Sequence, residues 1–311
     1  MARPELTFKR VKKLGEKAVE RAKRVSLPLF DGVPIYDVAL FFWRSIVDGS
    51  ITTRASAVAF SFFIALFPSI IFVLTLMPYI KVDNFQPELI AVIRDYVTND
   101  EMYFAIESIL NEIFGRPRGD LLSLNFFMAL FFATNGFASM MSAFDATVHN
   151  INRRTWWSQR IAALYMTIIF TFLLTIAIVM LTGGQELIKY LDRIDIIRDR
   201  FSVYVLTFGK WIVTIIMFFV AYSVLYYMAP AKKTKWRFIS AGGTLATVLS
   251  IVGFVGMGYY LNNFEQYNTL YGSIGTLLAV LFLMYVMSLI LLVGFELNAS
   301  IYQAHTYQDE E

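Results

Sequence analysis

The chain has 311 residues, of which 57% are hydrophobic and 16% charged, with a formal net charge of +3. Soluble domains carry about 25% charged residues, so the composition argues against a soluble enzyme. There is no cysteine and there are two histidines, His149 and His305, which removes disulfides and thiolate chemistry and leaves almost no room for a His-built metal site or triad.

In chain order, residues 5–25 form a basic stretch with the pattern of an amphipathic helix. It either docks on anionic lipid or remains a solvated tail that sets topology. No apolar core of a signal peptide follows it, so the first long apolar run is expected to act as the insertion signal and to stay in the product. Residues 35–47 are expected to form a short interfacial helix, with Trp43 and Arg44 at headgroup depth. Asp48, Gly49 and Ser50 then punctuate the entry to the first span.

Six runs are long and apolar enough to cross a hydrocarbon core, which takes about 20 helical residues. They lie at 55–80, 121–144, 161–182, 203–229, 238–260 and 271–295. Their continuous apolar character, without a period of two, predicts helices and not a β-barrel. The expected organisation is therefore residues 1–54 as basic and interfacial amphipathic helices, 55–300 as a six-span membrane domain and 301–311 as a tail. The connection at 81–120 is too long for a bare loop. Ile90, Ile93 and Val97, and then Phe104, Ile109 and Ile113, predict two short helices there. Residues 185–200 are expected to prolong the third or fourth span.

The positive charges orient the spans. Of 27 Lys and Arg, 11 lie in the first 54 residues. The same side of a six-span chain carries Arg153, Arg154 and Arg160, then Lys232, Lys233, Lys235 and Arg237. The opposite side carries residues 81–120, with four basic and eight acidic residues. The basic side is expected to be cytoplasmic, with both termini there.

Within the spans, small residues recur every four positions: Ala57, Ser61, Ala65 and Ser69; Thr134, Ala138, Ser142 and Ala146; Gly242, Ala246 and Ser250. One helix face lined this way lets backbones approach closely. Tight packing is the plainer reading, and a groove for an amphiphile is the alternative. Pro68 lies inside the first span and Pro78 at its end. Proline removes a backbone donor, so a kink is expected at Pro68, with a substrate-binding role as the sharper alternative. Ionisable groups at membrane depth are costly and few. Arg54, Asp145 and Glu296 fall at one end of the first, second and sixth spans, where they form either a structural salt bridge or interface anchors, or else a cytoplasmic gate or an ion-coupled site. Lys210 sits two turns into the fourth span, from where it is expected to snorkel outward. Asn135, followed by Gly136, lies near mid-depth in the second. No phosphate-binding glycine loop and no nucleophile elbow occurs, and the carboxylates are dispersed. No catalytic residue, metal or cofactor is expected, and nucleic acid is not an expected partner. Membrane lipid is, with anionic lipid at the basic N-terminal helix.

Four stretches resemble the YihY/BrkB family of bacterial inner-membrane proteins. They are ASAVAFSFFIALFPSIIF from Ala55, FFATNGFASMMSAFDATVHNINRRTWWSQRIAAL from Phe131, LYYMAPAKKTKWRFISAGG from Leu225 and YNTLYGSIGTLLAVLFLMYVMSLILLVGFELNA from Tyr267. The most specific parts are Tyr271-Gly272-Ser273 and the run from Gly294 to Ala299. The resemblance implies six helices with cytoplasmic termini. It also brings an old ribonuclease label, regarded as mistaken, and a proposed transporter role with envelope lipid among suggested substrates. The residue inventory gives no support to ribonuclease chemistry. The resulting expectation is an all-α, six-span, transporter-like protein handling a small solute or an amphiphile. Asn135 would offer polar contacts, Tyr271, Gly272 and Ser273 a gate, and Arg54 with Glu296 a lock. The alternative is a non-transporting envelope scaffold or accessory subunit.

Overall fold

The computed structural model describes residues 20–48, 50–76, 119–147, 154–193, 201–231, 237–263 and 273–310, with scattered positions between 87 and 112. Seven helices have described bounds: α1 Ile35–Asp48, α2 Ile51–Leu76, α3 Gly119–Asp145, α4 Trp156–Arg193, α5 Phe201–Met228, α6 Ala241–Asn263 and α7 Ser273–Glu310. No strand occurs among the described residues. Helices α2 to α7 are each long and apolar enough to cross a membrane, which gives the expected all-α fold with six spans. Within hydrocarbon the backbone must satisfy its own polar groups, and runs like these do so only as helices. Large apolar side chains such as Phe172, Val252 and Tyr259 stand exposed on their outer faces, as a lipid-facing surface requires.

Several boundaries move relative to the hydropathy pattern. Helix α4 runs on to Arg193, so residues 185–193 prolong the third span. Helix α7 continues past the apolar run to Glu310. It does so because α1 packs on it there: Val33 and Val38 share a buried cluster with Ala241, Ile301 and Ala304, flanked by Leu29, Phe30, Phe41 and Leu297. Arg237 adds an ion pair to Asp31 at the turn before α1, where Asp31 and Gly32 both adopt positive φ. Every described position between 87 and 112 is helical, Ile90 and Phe104 among them. Ile93, Val97, Ile109 and Ile113 lie outside the described residues, as do residues 5–19 and Pro78.

The chain divides into two compact units, residues 61–136 and the remainder. In the smaller unit, Phe72 and Phe126 meet with ring centroids 5.4 Å apart. Gly136 lies under the Phe62 ring, where an added Cβ would come within 2.7 Å of Cδ1. Pro68 is buried inside α2, and the helix runs on through it to Leu76. The Ser69 hydroxyl donates to the Ala65 carbonyl at 2.6 Å.

In the larger unit, α6 and α7 cross in close contact. A Cβ on Gly242 would collide with the Gly294 carbonyl oxygen, and one on Gly294 with the Tyr226 hydroxyl. Of the three small-residue faces, only that of α6 is buried at Gly242, Ala246 and Ser250 alike. In α2 the register fails, because Ala57 is exposed while Ala55, Val58 and Ala59 are buried. In α3 Ser142 is exposed, as is Ala146 just past its end. A small stripe permits close approach but does not create it; the facing helix must also present a small residue, as Gly294 does for α6.

Candidate functional site

The segment from Gly294 to Ser300 sends alternate side chains to different neighbours, and this sorting builds the site. Gly294 and Asn298, one turn apart, face α6. The Asn298 side-chain oxygen accepts from the Gly242 backbone N–H at 2.8 Å, and its amide donates to the Ser240 hydroxyl at 3.0 Å. Ser240 in turn accepts from the Gly243 N–H at 3.0 Å. The first N–H groups of a helix have no intrahelical partner, so α6 is capped twice, once locally and once from α7. Phe295 stacks on Phe144 with centroids 4.1 Å apart, and Tyr226 closes the cluster while donating to the Leu291 carbonyl at 2.9 Å.

Glu296 points elsewhere, into an ion pair with Arg54. Its side chain is 1% exposed and that of Arg54 11%. Arg54 lies in the first turn of α2, and its Nη2 donates to Glu296 Oε1 at 2.6 Å. Its Nη1 donates to the Ala143 carbonyl and to the Thr147 hydroxyl, both at 2.8 Å. The Thr147 hydroxyl donates onward to Glu296 Oε1, also at 2.8 Å. The Ala143 carbonyl belongs to the last turn of α3, where carbonyls lack intrahelical donors and the helix dipole favours a cation. One guanidinium thus joins the start of α2, the end of α3 and the middle of α7. Arg54 Nε and Glu296 Oε2 are buried with no hydrogen-bond partner among the described residues. So is the hydroxyl of Ser300, one turn beyond Glu296.

Asp145 shares this end of the helices but not the ion pair. Its Oδ1 accepts from the Ala231 N–H at 2.8 Å. Arg154 grips the same turn, donating to the carbonyls of Ala229 at 2.9 Å and Pro230 at 2.8 Å, with a longer contact to Met228 at 3.4 Å. Pro230 has no N–H to continue α5, so the last carbonyls of that helix need outside donors. Arg154 supplies one to Met228, the last residue of α5, and caps the Ala229 and Pro230 carbonyls just beyond it.

Of the residues singled out from sequence, Arg54 and Glu296 therefore meet, and Asp145 sits beside them with a capping task of its own. Pro68 and Asn135 belong to the smaller unit, Asn135 half-buried. Tyr271 and Gly272 lie outside the described residues. Ser273 is placed only as the first residue of α7. Thr147, Arg154, Asn298 and Tyr226 were not singled out. Arg154 reads in the sequence as a topology charge, and all four fall inside the stretches that resemble the family. Thr147 and Tyr226 carry no pattern that marks them in advance. Among the described residues, no group of three or more His, Asp and Glu gathers as a metal site would require.

The family described as virulence factor BrkB matches residues 42–311. A ribonuclease-like protein of Bacillus subtilis, YfkH, is 27% identical over 83% of this chain and 92% of its own length. A UPF0761 membrane protein of Xanthomonas campestris is 24% identical over 87% of this chain. One of Xanthomonas oryzae is 24% identical over 97% of this chain and 67% of its own length. The match spans 61% of the length of the Xanthomonas campestris relative. No solved structure matches the chain. With the matched region taking in six long apolar helices and the Arg54–Glu296 junction, the chain belongs to the BrkB family of membrane proteins.

Proposed function

We propose that this protein is a transporter-like component of a bacterial inner membrane that moves an amphiphile or lipid, and that it is not an enzyme. The observation that carries the reading is the half-satisfied ion pair of Arg54 and Glu296. Buried pairs contribute little net stability, because desolvation offsets their attraction, and apolar residues of similar volume often serve as well. A buried pair that ties three helices together and leaves one donor and one acceptor unused is better suited to a contact that opens and closes. It would lock one end of the helices. Asn135 would offer polar contacts to a substrate, and Tyr271, Gly272 and Ser273 would form a gate. Liposomes holding the purified protein are expected to show protein-dependent movement of fluorescent phospholipid or of a small amphiphile. Absence of any flux or scrambling across a broad panel would sink this reading.

The tight crossing at Gly242 and Gly294 favours a second reading, a rigid envelope scaffold. That reading requires a stable partner on co-purification and no flux. The ribonuclease-like name of the Bacillus subtilis relative suggests a third, against which stands the dispersal of the carboxylates.

The proposed orientation places the Arg54–Glu296 end, both termini and the basic residues 5–25 at the cytoplasmic face, the last of these on anionic lipid. The natural absence of cysteine makes this directly measurable. In intact cells, an impermeant maleimide is expected to label Glu107→Cys but to label Ser26→Cys and Thr306→Cys only after permeabilisation. The reverse pattern would invert the topology.

A further inference from the structure

We propose that Arg54 is the receptor for the oxyanion headgroup of an amphiphile, and that Glu296 occupies it as an internal competitor in the resting pair. The proposal rests on the transport reading above and names the class of ligand that site takes.

The argument begins with what the guanidinium uses. Its Nη1 is committed to the Ala143 carbonyl and the Thr147 hydroxyl. Those two bonds fix the group in place whatever happens at its other edge. That other edge presents Nη2 and Nε, the fork that matches two oxygens of a carboxylate or phosphate side by side. Glu296 fills only half of it: Oε1 takes Nη2, while Oε2 and Nε both go without a partner among the described residues. The resident anion is therefore a poor occupant of its own receptor. A phosphate ester or carboxylate free to approach along the plane of the fork can engage both donors and so outbid it.

Displacement leaves Glu296 needing donors in a buried place. Two are at hand. Thr147 already donates to Oε1. Ser300, 0% exposed and without a hydrogen-bond partner among the described residues, lies one turn on, where residues four apart share a face. The structure thus holds an unused donor for the incoming anion and another for the outgoing carboxylate. A pair serving only to hold helices together needs neither.

Native mass spectrometry of the full chain in neutral detergent tests this with short-chain phosphatidic acid, diacylglycerol of the same chains and inorganic phosphate. Phosphatidic acid is expected to bind and diacylglycerol to bind less. Glu296→Gln removes the competing charge and is expected to raise affinity for phosphatidic acid about tenfold, a gain that misfolding does not produce. Arg54→Gln is expected to lose it, and Ser300→Ala to weaken it about three- to tenfold. Equal binding of inorganic phosphate and phosphatidic acid would overturn the amphiphilic ligand. Unchanged or weaker binding by Glu296→Gln would overturn the competitor role. These results are separable from transport: liposome flux without the Glu296→Gln gain rejects this site alone, whereas headgroup binding without flux rejects the transport reading.

Discussion

Arg54→Leu is expected to lower the unfolding free energy by about 3–5 kcal/mol, the cost of breaking a buried ion pair from one side. Three losses combine. Glu296, 1% exposed, loses its guanidinium partner and is left with hydroxyl donors alone. The Ala143 carbonyl loses its donor, and a buried unpaired carbonyl costs about 1–3 kcal/mol. The cation at the end of α3 also disappears. Glu296→Leu is expected to be comparably damaging, because the guanidinium is then the uncompensated charge. The double change Arg54→Leu with Glu296→Leu removes both charges and is expected to be milder than the sum of the two. Thermal and denaturant unfolding of purified protein in one detergent gives all three values. Single changes that each cost less than about 0.5 kcal/mol would show that the pair is solvated, since exposed pairs contribute about 0–1 kcal/mol.

The second large effect concerns α6. Gly242→Ala places a Cβ against the Gly294 carbonyl oxygen and within 2.7 Å of Asn298 Cγ. The obstacle is backbone, which cannot swing aside, so α6 and α7 must separate. That separation also strains the bond from the Gly242 N–H to Asn298. A loss of about 3 kcal/mol or more is expected, at or above the upper end for overpacking. Gly256→Ala, on the same helix with nothing within 4 Å of the added atom, is expected to be neutral or to gain up to about 1 kcal/mol from helix propensity. The contrast is read from the unfolding midpoints of the two variants. Equal behaviour would mean that the helix crossing is loose.

The anion-receptor proposal and these stability effects draw on the same residues in opposite senses, which makes the variants informative together. Glu296→Gln keeps a hydrogen-bonding group of the same size beside Arg54. It is expected to cost much less stability than Glu296→Leu while improving oxyanion binding.

Composition and hydropathy alone determined that this is an all-α, six-span membrane protein. The physical demand there is one-dimensional: about 20 consecutive apolar residues must satisfy their own backbone in hydrocarbon, and a linear sequence displays that directly. The same reading placed Arg54, Asp145 and Glu296 at one end of their apolar spans, because depth follows from distance along each span. It also offered Arg54 with Glu296 as a lock, but only the tertiary structure showed that these two meet while Asp145 bonds elsewhere. Arg54 and Glu296 are 242 residues apart in sequence, and their meeting depends on how each helix is rotated about its axis. That rotation is set by contacts that hydropathy does not encode: Gly242 against Gly294, Phe144 stacked on Phe295, and the N-terminus of α6 capped by Asn298. Asp145 lies beside the pair in depth, yet faces the Ala231 turn. The small-residue stripe of α6 found a glycine opposite and packed, whereas those of α2 and α3 are partly exposed. Depth was written in the chain; azimuth came from packing, and the candidate site is a matter of azimuth.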